Sequence, residues 1–360
     1  MPQAIIAGLG LPGNLIALAL LRQGWRLIVA DPKPVTERTL ARVYGPADIG
    51  KPKTLALEGP VATLGRLDQL DARLGRIEDV VGGQEWRAAE LAVLATDRPA
   101  STRRVAEICL RLGTTQHPLH LVSCHVAEGA AQVRAFAFPT AGGPCALCGS
   151  GDAFISSILN EDGFTCDDYP ADGDAFTVPF GAVEGYAAAA LALRAIGGEP
   201  GADTTLALGP ACEAFNSRLR QDPDCLLDCA HVVPWPEATA HLEFNEPLRP
   251  ALSVLAATAG SPAREAHVEF LRPLALGTEC ACGRCDAPRV HRNPCPTCQA
   301  PVVALRGWTS ELPLGDLPPQ LTAADLGLPE HDLLLLRGAA PLSSEAQDVL
   351  TIAVEGGVQT

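Results

Sequence analysis

The sequence predicts an α/β protein: a mostly parallel sheet with helices on both faces, followed by a smaller cysteine-rich C-terminal region. Three observations predict it. An apolar run, a glycine-rich loop, an apolar helical pattern and a second apolar run follow one another within the first 31 residues. Further apolar runs of strand length then alternate with helical stretches, the pattern of a sheet assembled through crossover connections. Composition changes at the Pro-rich passage Val233-Pro234-Trp235-Pro236, beyond which Pro, Leu and Cys are prominent.

Ala4-Ile5-Ile6-Ala7 reads as a buried strand, and Gly8-Leu9-Gly10-Leu11-Pro12-Gly13 as the loop after it. A helix is predicted over 14–23 and stopped by Gly24. A second strand over 26–30 ends at Asp31. This is a βαβ unit with a GxGxxG loop and an acid closing its second strand, the pattern of a Rossmann-like fold. Gly8, Gly10 and Gly13 permit a tight turn and let helix N–H groups approach a phosphate, while Asp31 can accept ribose hydroxyls. A tight turn that serves no ligand is the plainer alternative. Later strands are predicted over 90–95, 119–126, 133–138 and 204–208, with a helix of small residues over 181–196. The divisions expected are residues 1–232 and 233–360.

Bulk properties narrow the function. With 360 residues and 47% hydrophobic content, the chain can bury a sizeable core. Its formal net charge of -15 repels a phosphate backbone, so nucleic acid is not an expected partner. The apolar stretch over 4–30 is interrupted by Gly8, Gly10, Pro12, Gly13, Arg22 and Arg26, which excludes it as a membrane span. Met1-Pro2-Gln3 carries no basic segment of the signal-peptide kind, so the expected location is the cytoplasm. In a reducing compartment, 13 cysteines with several in close pairs point to metal ligation or catalysis more than to disulfides.

The 3 lysines, Lys33, Lys51 and Lys53, all lie in one short stretch after Asp31, and every other cation is Arg. A nicotinamide enzyme does not need a cationic cluster there. An enzyme that releases pyrophosphate does, because charge must be neutralised as the leaving group departs. Arg42 and Lys53 are the candidates for that task. A solvated charged loop would explain either one alone. Asp97 follows the apolar run Leu91-Ala92-Val93-Leu94-Ala95-Thr96. A carboxylate at that end of a parallel strand can hold magnesium on the ligand side of the sheet, or simply cap the next helix.

These segments, together with Thr39-Leu40-Ala41-Arg42 and Asp48-Ile49-Gly50-Lys51-Pro52-Lys53, resemble the ordered motifs of the ThiF/MoeB/HesA family. These are ubiquitin-activating-enzyme-like adenylyltransferases. The resemblance covers about the first 230 residues. It implies ATP as substrate, with Asp31 on the ribose, Thr39, Arg42 and Lys53 at the phosphates and Asp97 on magnesium. It also implies a homodimer. Thr39 replaces the family's usual Asn, Val43 stands where Gln is common, and the family's N-terminal helix, which carries an arginine, is not found ahead of the first strand.

The cysteines form two groups. Cys145 and Cys148 make a CxxC, and Cys225 with Cys229 makes a second close pair; four thiolates so arranged suit a closed zinc site. Cys282, Cys285, Cys295 and Cys298 have the spacing of a zinc ribbon, with Cys280 spare or exchanging with Cys282. Zinc there is expected to staple a region too poor in core to fold alone. Cys166 lies in the polar stretch that the resemblance makes a crossover loop, where it would accept the activated acyl group or be an unreactive thiol. Cys109, Cys124 and Cys212 read as packing residues.

The expected activity is therefore ATP- and Mg-dependent adenylation of the C-terminal glycine carboxylate of a ubiquitin-like protein, then transfer to a thiol. A bacterial conjugation pathway with a conjugating enzyme is favoured over sulfur-carrier activation for thiamine or molybdopterin synthesis. An NAD(P)-dependent oxidoreductase and an inactive scaffold are the alternatives outside that chemistry.

Overall fold

Strands β1 (Gln3–Ala7), β2 (Arg26–Asp31), β3 (Leu70–Leu74), β4 (Leu91–Leu94) and β5 (Leu119–Ala127) lie side by side in the order β3-β2-β1-β4-β5, all parallel. The computed structural model describes residues 1–37, 43–96, 98–127, 129–139, 143–148, 150, 155–156, 182–198, 202–208, 213–280, 282–285, 288–290, 303–304, 307–338 and 349–356. They divide into two compact units, Met1–Val80 with Trp86–Pro234 and Val81–Glu85 with Trp235–Thr360. Among the described residues no helix is long and apolar enough to cross a membrane.

The first unit extends its parallel sheet with three antiparallel strands, β6 (Ala130–Phe138), β7 (Ala202–Ala207) and β8 (Glu213–Arg218). Alternate residues of each strand face opposite sides. On one side Ile6, Val29, Val93 and Val122 form a core with helices α1 (Leu11–Arg22), α2 (Lys53–Thr63) and, through Ala189 and Ala192, α4 (Ala182–Ile196). The opposite parity is as deeply buried, with Ile5, Ile28, Leu121 and Phe136 each at most 6% exposed. α3 (Pro99–Leu112) packs against β5. A sheet apolar on both faces is what a parallel core requires, and the Rossmann-like α/β reading holds. The small residues of α4 have a use: a Cβ on Gly185 would lie 2.5 Å from Leu11 Cδ2, so glycine sets how closely α4 and α1 approach.

Two differences from the sequence reading are instructive. α1 begins at Leu11, three residues earlier than expected, because Pro12 at its first turn fixes a helical φ and Gly10 takes the cap position. The glycine loop is thus partly helix. β8 was not anticipated, since every residue of it is exposed and it shows no apolar alternation.

The second unit corrects the expectation of a region too poor in core to stand without zinc. Its sheet runs β13 (Arg289–Val290), β10 (His267–Ala275), β16 (Leu333–Arg337), β17 (Val349–Glu355), β9 (Ala238–Glu243), with β15 (Trp308–Pro313) also on β10. Helix α5 (Leu248–Thr258) covers it, and Leu252, Val268, Phe270, Leu334 and Ile352 are buried together. β17 is an inner strand of this sheet, paired with β16 on one side and β9 on the other. A small ribbon, β11 (Thr278–Cys280), β12 (Gly283–Cys285) and β14 (Val303–Ala304), stands beside it in sequence. Segment Val81–Glu85 belongs to this unit through polar contacts. Asp332 accepts from Gly83 N–H at 3.0 Å, and Arg272 donates to both Asp332 and the Val81 carbonyl. Gln84 donates its side-chain amide to Val354 O at 3.0 Å.

Candidate functional site

The site begins where β1 ends. Gly8 has φ +86, and a Cβ there would lie 2.6 Å from Ala95 O; one on Gly13 would lie 1.9 Å from Gly8 O. These two glycines are demanded by the chain itself. Gly10 is different: its Cβ would meet only Pro12 Cδ at 4.0 Å. Its missing side chain leaves the outer side of the loop open to a ligand. Gly10 caps α1 without a side-chain acceptor, and no acid occupies the first turn, so the helix presents unpaired N–H groups suited to an anion.

Asp31, at the C-terminal end of β2, is only 4% exposed. Its Oδ2 accepts Leu9 N–H at 2.7 Å and its Oδ1 accepts Lys33 N–H at 2.8 Å. Lys53 Nζ reaches Oδ2 at 3.4 Å, with its side chain 9% exposed. The chain brings these distant residues together by folding 48–53 back on 33–35. Val35 N–H donates to Lys51 O at 2.8 Å, Gly50 N–H to Val35 O at 2.9 Å, and Pro34 bridges Pro52. Lys53 then starts α2 beside the glycine loop. Lys51 points elsewhere, pairing with half-buried Asp48 at 3.1 Å, whose carboxyl is held below its ordinary range chiefly by that hydrogen bond.

Sequence reasoning missed two residues of this site. Tyr44 donates its hydroxyl to Leu9 O at 2.6 Å, and Asn14 Nδ2 donates to Leu9 O at 2.6 Å and to Tyr44 Oη at 2.7 Å. The phenol, pushed up by burial, stays protonated and able to donate. Tyr44 stands two residues after Arg42 in the sequence, and this triangle braces the glycine loop. The signal available was Asn14 immediately after the loop, a polar residue at a buried helix position.

Thr39, Arg42, Asp97, Cys166, Cys212, Cys295 and Cys298 lie outside the described residues. The strand that leads to Asp97 is in place: Ala95 N–H donates to Ala7 O at 2.8 Å, which puts this strand end beside the glycine loop. Cys109 and Cys124 are buried thiols, and burial raises both, Cys124 to about 12.

A second feature of the first unit is a cluster of four buried cysteines, Cys145, Cys148, Cys225 and Cys229, whose sulfurs all lie within 4.8 Å of one another. The Cys145–Cys225 and Cys148–Cys229 separations are 3.5 Å, and Cys145–Cys148 is 3.8 Å. Tetrahedral zinc with Zn–S bonds of about 2.3 Å sets its sulfurs about 3.8 Å apart, so the four residues fit the ion. The extra residue in the second pair, Cys225 to Cys229, does not spoil the geometry. Cys145 and Cys225 hydrogen-bond to Cys148 and lower its pKa, while the same contact to Cys148 raises that of Cys145. Zinc would hold all four as thiolates and leave no open coordination position.

A Rossmann-like sheet whose first glycine loop is tied to the acid ending β2, with a lysine from the next helix on that acid, defines a protein of nucleotide-binding type. The chain belongs to the ThiF family, whose chemistry is adenylyl transfer: residues 2–261 match it. Among solved structures it is similar to E. coli MccB, at 16% identity and TM-score 0.46 over 66% of this chain and 67% of that one. It is also similar to E. coli MccB with ATP, at 18% identity and TM-score 0.44 over 63% and 66%. A third is MccB in complex with N-formylated MccA, at 17% identity and TM-score 0.43 over 63% and 67%. No curated protein matches the chain.

Proposed function

We propose that this protein uses ATP and magnesium to adenylate the C-terminal glycine carboxylate of a small ubiquitin-like protein. The observation that carries the reading is the Asp31–Lys53 pair at the glycine loop, at 3.4 Å and almost wholly buried. A nucleotide whose ribose engaged Asp31 would release Lys53 toward the phosphates. One residue would thus fix the nucleoside and the other neutralise charge developing as pyrophosphate leaves. The unpaired N–H groups at the start of α1 add fixed positive potential in the same place. ATP supplies the AMP group that activates the carboxylate. Asp97 would hold magnesium, which supplies further charge neutralisation on the phosphates. Arg42 would act beside Lys53, and Thr39 would contact phosphate. Cys166 is the proposed thiol that then attacks the acyl carbonyl: a C–S bond forms, AMP leaves, and the thiol proton passes to solvent.

In this proposal the adenylation machinery occupies residues 1–232, and 233–360 form a separate C-terminal region. A homodimer, a cytoplasmic setting and a bacterial ubiquitin-like conjugation pathway with its conjugating enzyme complete the proposal. Activation of a sulfur carrier would use the same first step and the same residues.

Calorimetric titration of the full chain tests this without any partner. Magnesium-dependent ATP binding is expected, weakened about tenfold or more in Lys53→Ala because a charged hydrogen bond is lost, and not matched by NAD. Binding of NAD without ATP would sink the proposal.

A further inference from the structure

We propose that the outer side of α1 and α4 is an interface between two copies of this chain, related by a twofold axis that sets the two α4 helices antiparallel. The inference rests on the homodimer proposed above and supplies its contact face.

Helices that cover a sheet normally have one apolar side and one polar side. α3 does: Glu107 pairs with Arg104 and with Arg111 along that helix, each at 3.2 Å. On the other side of the sheet the rule fails. α1 has no polar side chain besides Asn14 and Arg22, and α4 none besides Glu184, Arg194 and the Tyr186 hydroxyl. Asn14 is buried and serves the glycine loop. The two helices lie against each other at Gly185 and Leu11, and their inner sides meet the sheet core. What is left faces outward and is apolar. Val183 is 66% exposed and Tyr186 53%, Ala190 is exposed as well, and Leu15 and Leu18 of α1 are half-buried. Val183, Tyr186, Ala190 and Arg194 follow helical spacing and form one stripe.

Size and charge select a second copy as the occupant. Two adjacent helices about 11 Å wide and about 22 Å long offer about 500 Å². Two such faces together make about 1,000 Å², the lower bound for a stable interface. Glu184 stands in the first turn of α4 and Arg194 in its last, about 15 Å apart. Neither has an ion-pair partner among the described residues: Glu184 accepts Gly129 N–H at 3.2 Å, and Arg194 is exposed. An antiparallel second α4 brings each Arg194 to the Glu184 end of the other copy. One twofold operation thus pairs both charges twice and sets the helix dipoles head to tail. A parallel arrangement would set like charges together.

Sedimentation equilibrium of the full chain tests the assignment, with circular dichroism to show that each variant is folded. The wild type is expected at twice its 37.5 kDa. Tyr186→Glu, at an exposed position, forces carboxylates into the apolar contact and should raise the dimer Kd at least tenfold. Arg194→Glu turns two attractions into repulsions and should raise it about tenfold. Glu184→Arg combined with Arg194→Glu should restore the dimer. A wild type that is monomeric at every concentration would remove the interface together with the homodimer. A dimer untouched by Tyr186→Glu would overturn this face and leave the homodimer standing. A double swap that binds no tighter than Arg194→Glu alone would overturn the antiparallel arrangement, and with it the proposal.

Discussion

Replacing Asp31 by Ala should cost the first unit far more than replacing Lys53 by Met, although each change breaks the same ion pair. In Asp31→Ala the Lys53 ammonium, 9% exposed, loses its counter-charge, and the Leu9 and Lys33 N–H groups lose the acceptor they share. Removing one partner of a buried pair costs about 3–5 kcal/mol, and the orphaned N–H groups push the value toward the top of that range. In Lys53→Met the apolar stem is kept and the carboxylate still accepts two N–H bonds, so only a charge-assisted contact of about 1.5 kcal/mol is lost. The difference, about 2 kcal/mol or more, is roughly 30-fold in the local opening constant. Hydrogen–deuterium exchange of peptides covering β1 and β2 reports the opening of this sheet without requiring the whole chain to unfold together. Equal exchange in the two variants would refute the reasoning, because it would mean the acid does not organise the glycine loop. Both variants should weaken magnesium-ATP binding, so affinity alone would not reveal the asymmetry.

Two further outcomes are expected. Tyr44→Phe removes one hydroxyl and no ring volume; Leu9 O keeps Asn14, so the loss is about 1 kcal/mol, a fall in Tm of about 2–4 °C. If Tyr44 braces the loop for nucleotide, ATP affinity falls several-fold as well, whereas an unchanged affinity would leave it a packing residue. His125 supplies a pH signature. Burial first, then Arg134, lowers its pKa to about 4 from an ordinary 6.5, while Ser123 Oγ contacts its ring at 2.7 Å. The unfolded chain therefore takes up the proton first. The resulting stability is fully present above pH 6.5 and is lost as pH falls to 4, about 3 kcal/mol in all. Denaturant titrations between pH 4 and 7 should show His125→Gln less sensitive to acid than the wild type by that amount; parallel curves would exclude the residue.

The nucleotide end of the fold was legible because local chemistry dictates it. A glycine that must take φ +86 and another whose Cβ would strike a carbonyl oxygen leave no substitute, so the GxGxxG pattern registers backbone geometry directly. Lys53 was also found, by its rarity as a residue type. Its partner was not: an ammonium expected to face phosphate lies against Asp31, because a buried charge has to be satisfied by a counter-charge within the protein. Tyr44 and Asn14 escaped because their partner is a backbone carbonyl, which a sequence does not label. The cysteine cluster was readable from spacing because CxxC fixes two sulfurs locally and only the meeting of the pairs is tertiary.

The C-terminal unit was misread for a different reason, and it shows where pattern reading ends. Its strands include Leu333–Arg337 and Val349–Glu355, short apolar runs separated by long connections, and neither alone suggests a sheet. Their stability is non-local: β17 lies between β16 and the much earlier β9, and Asp332 is satisfied by Arg272 and by Gly83, 249 residues away. Only the meeting of those residues makes a buried aspartate tolerable. A region whose core is assembled from such distant pieces looks core-poor in any local window. Zinc is therefore not required to explain why this unit folds: its buried side chains meet across the sheet and helix without it.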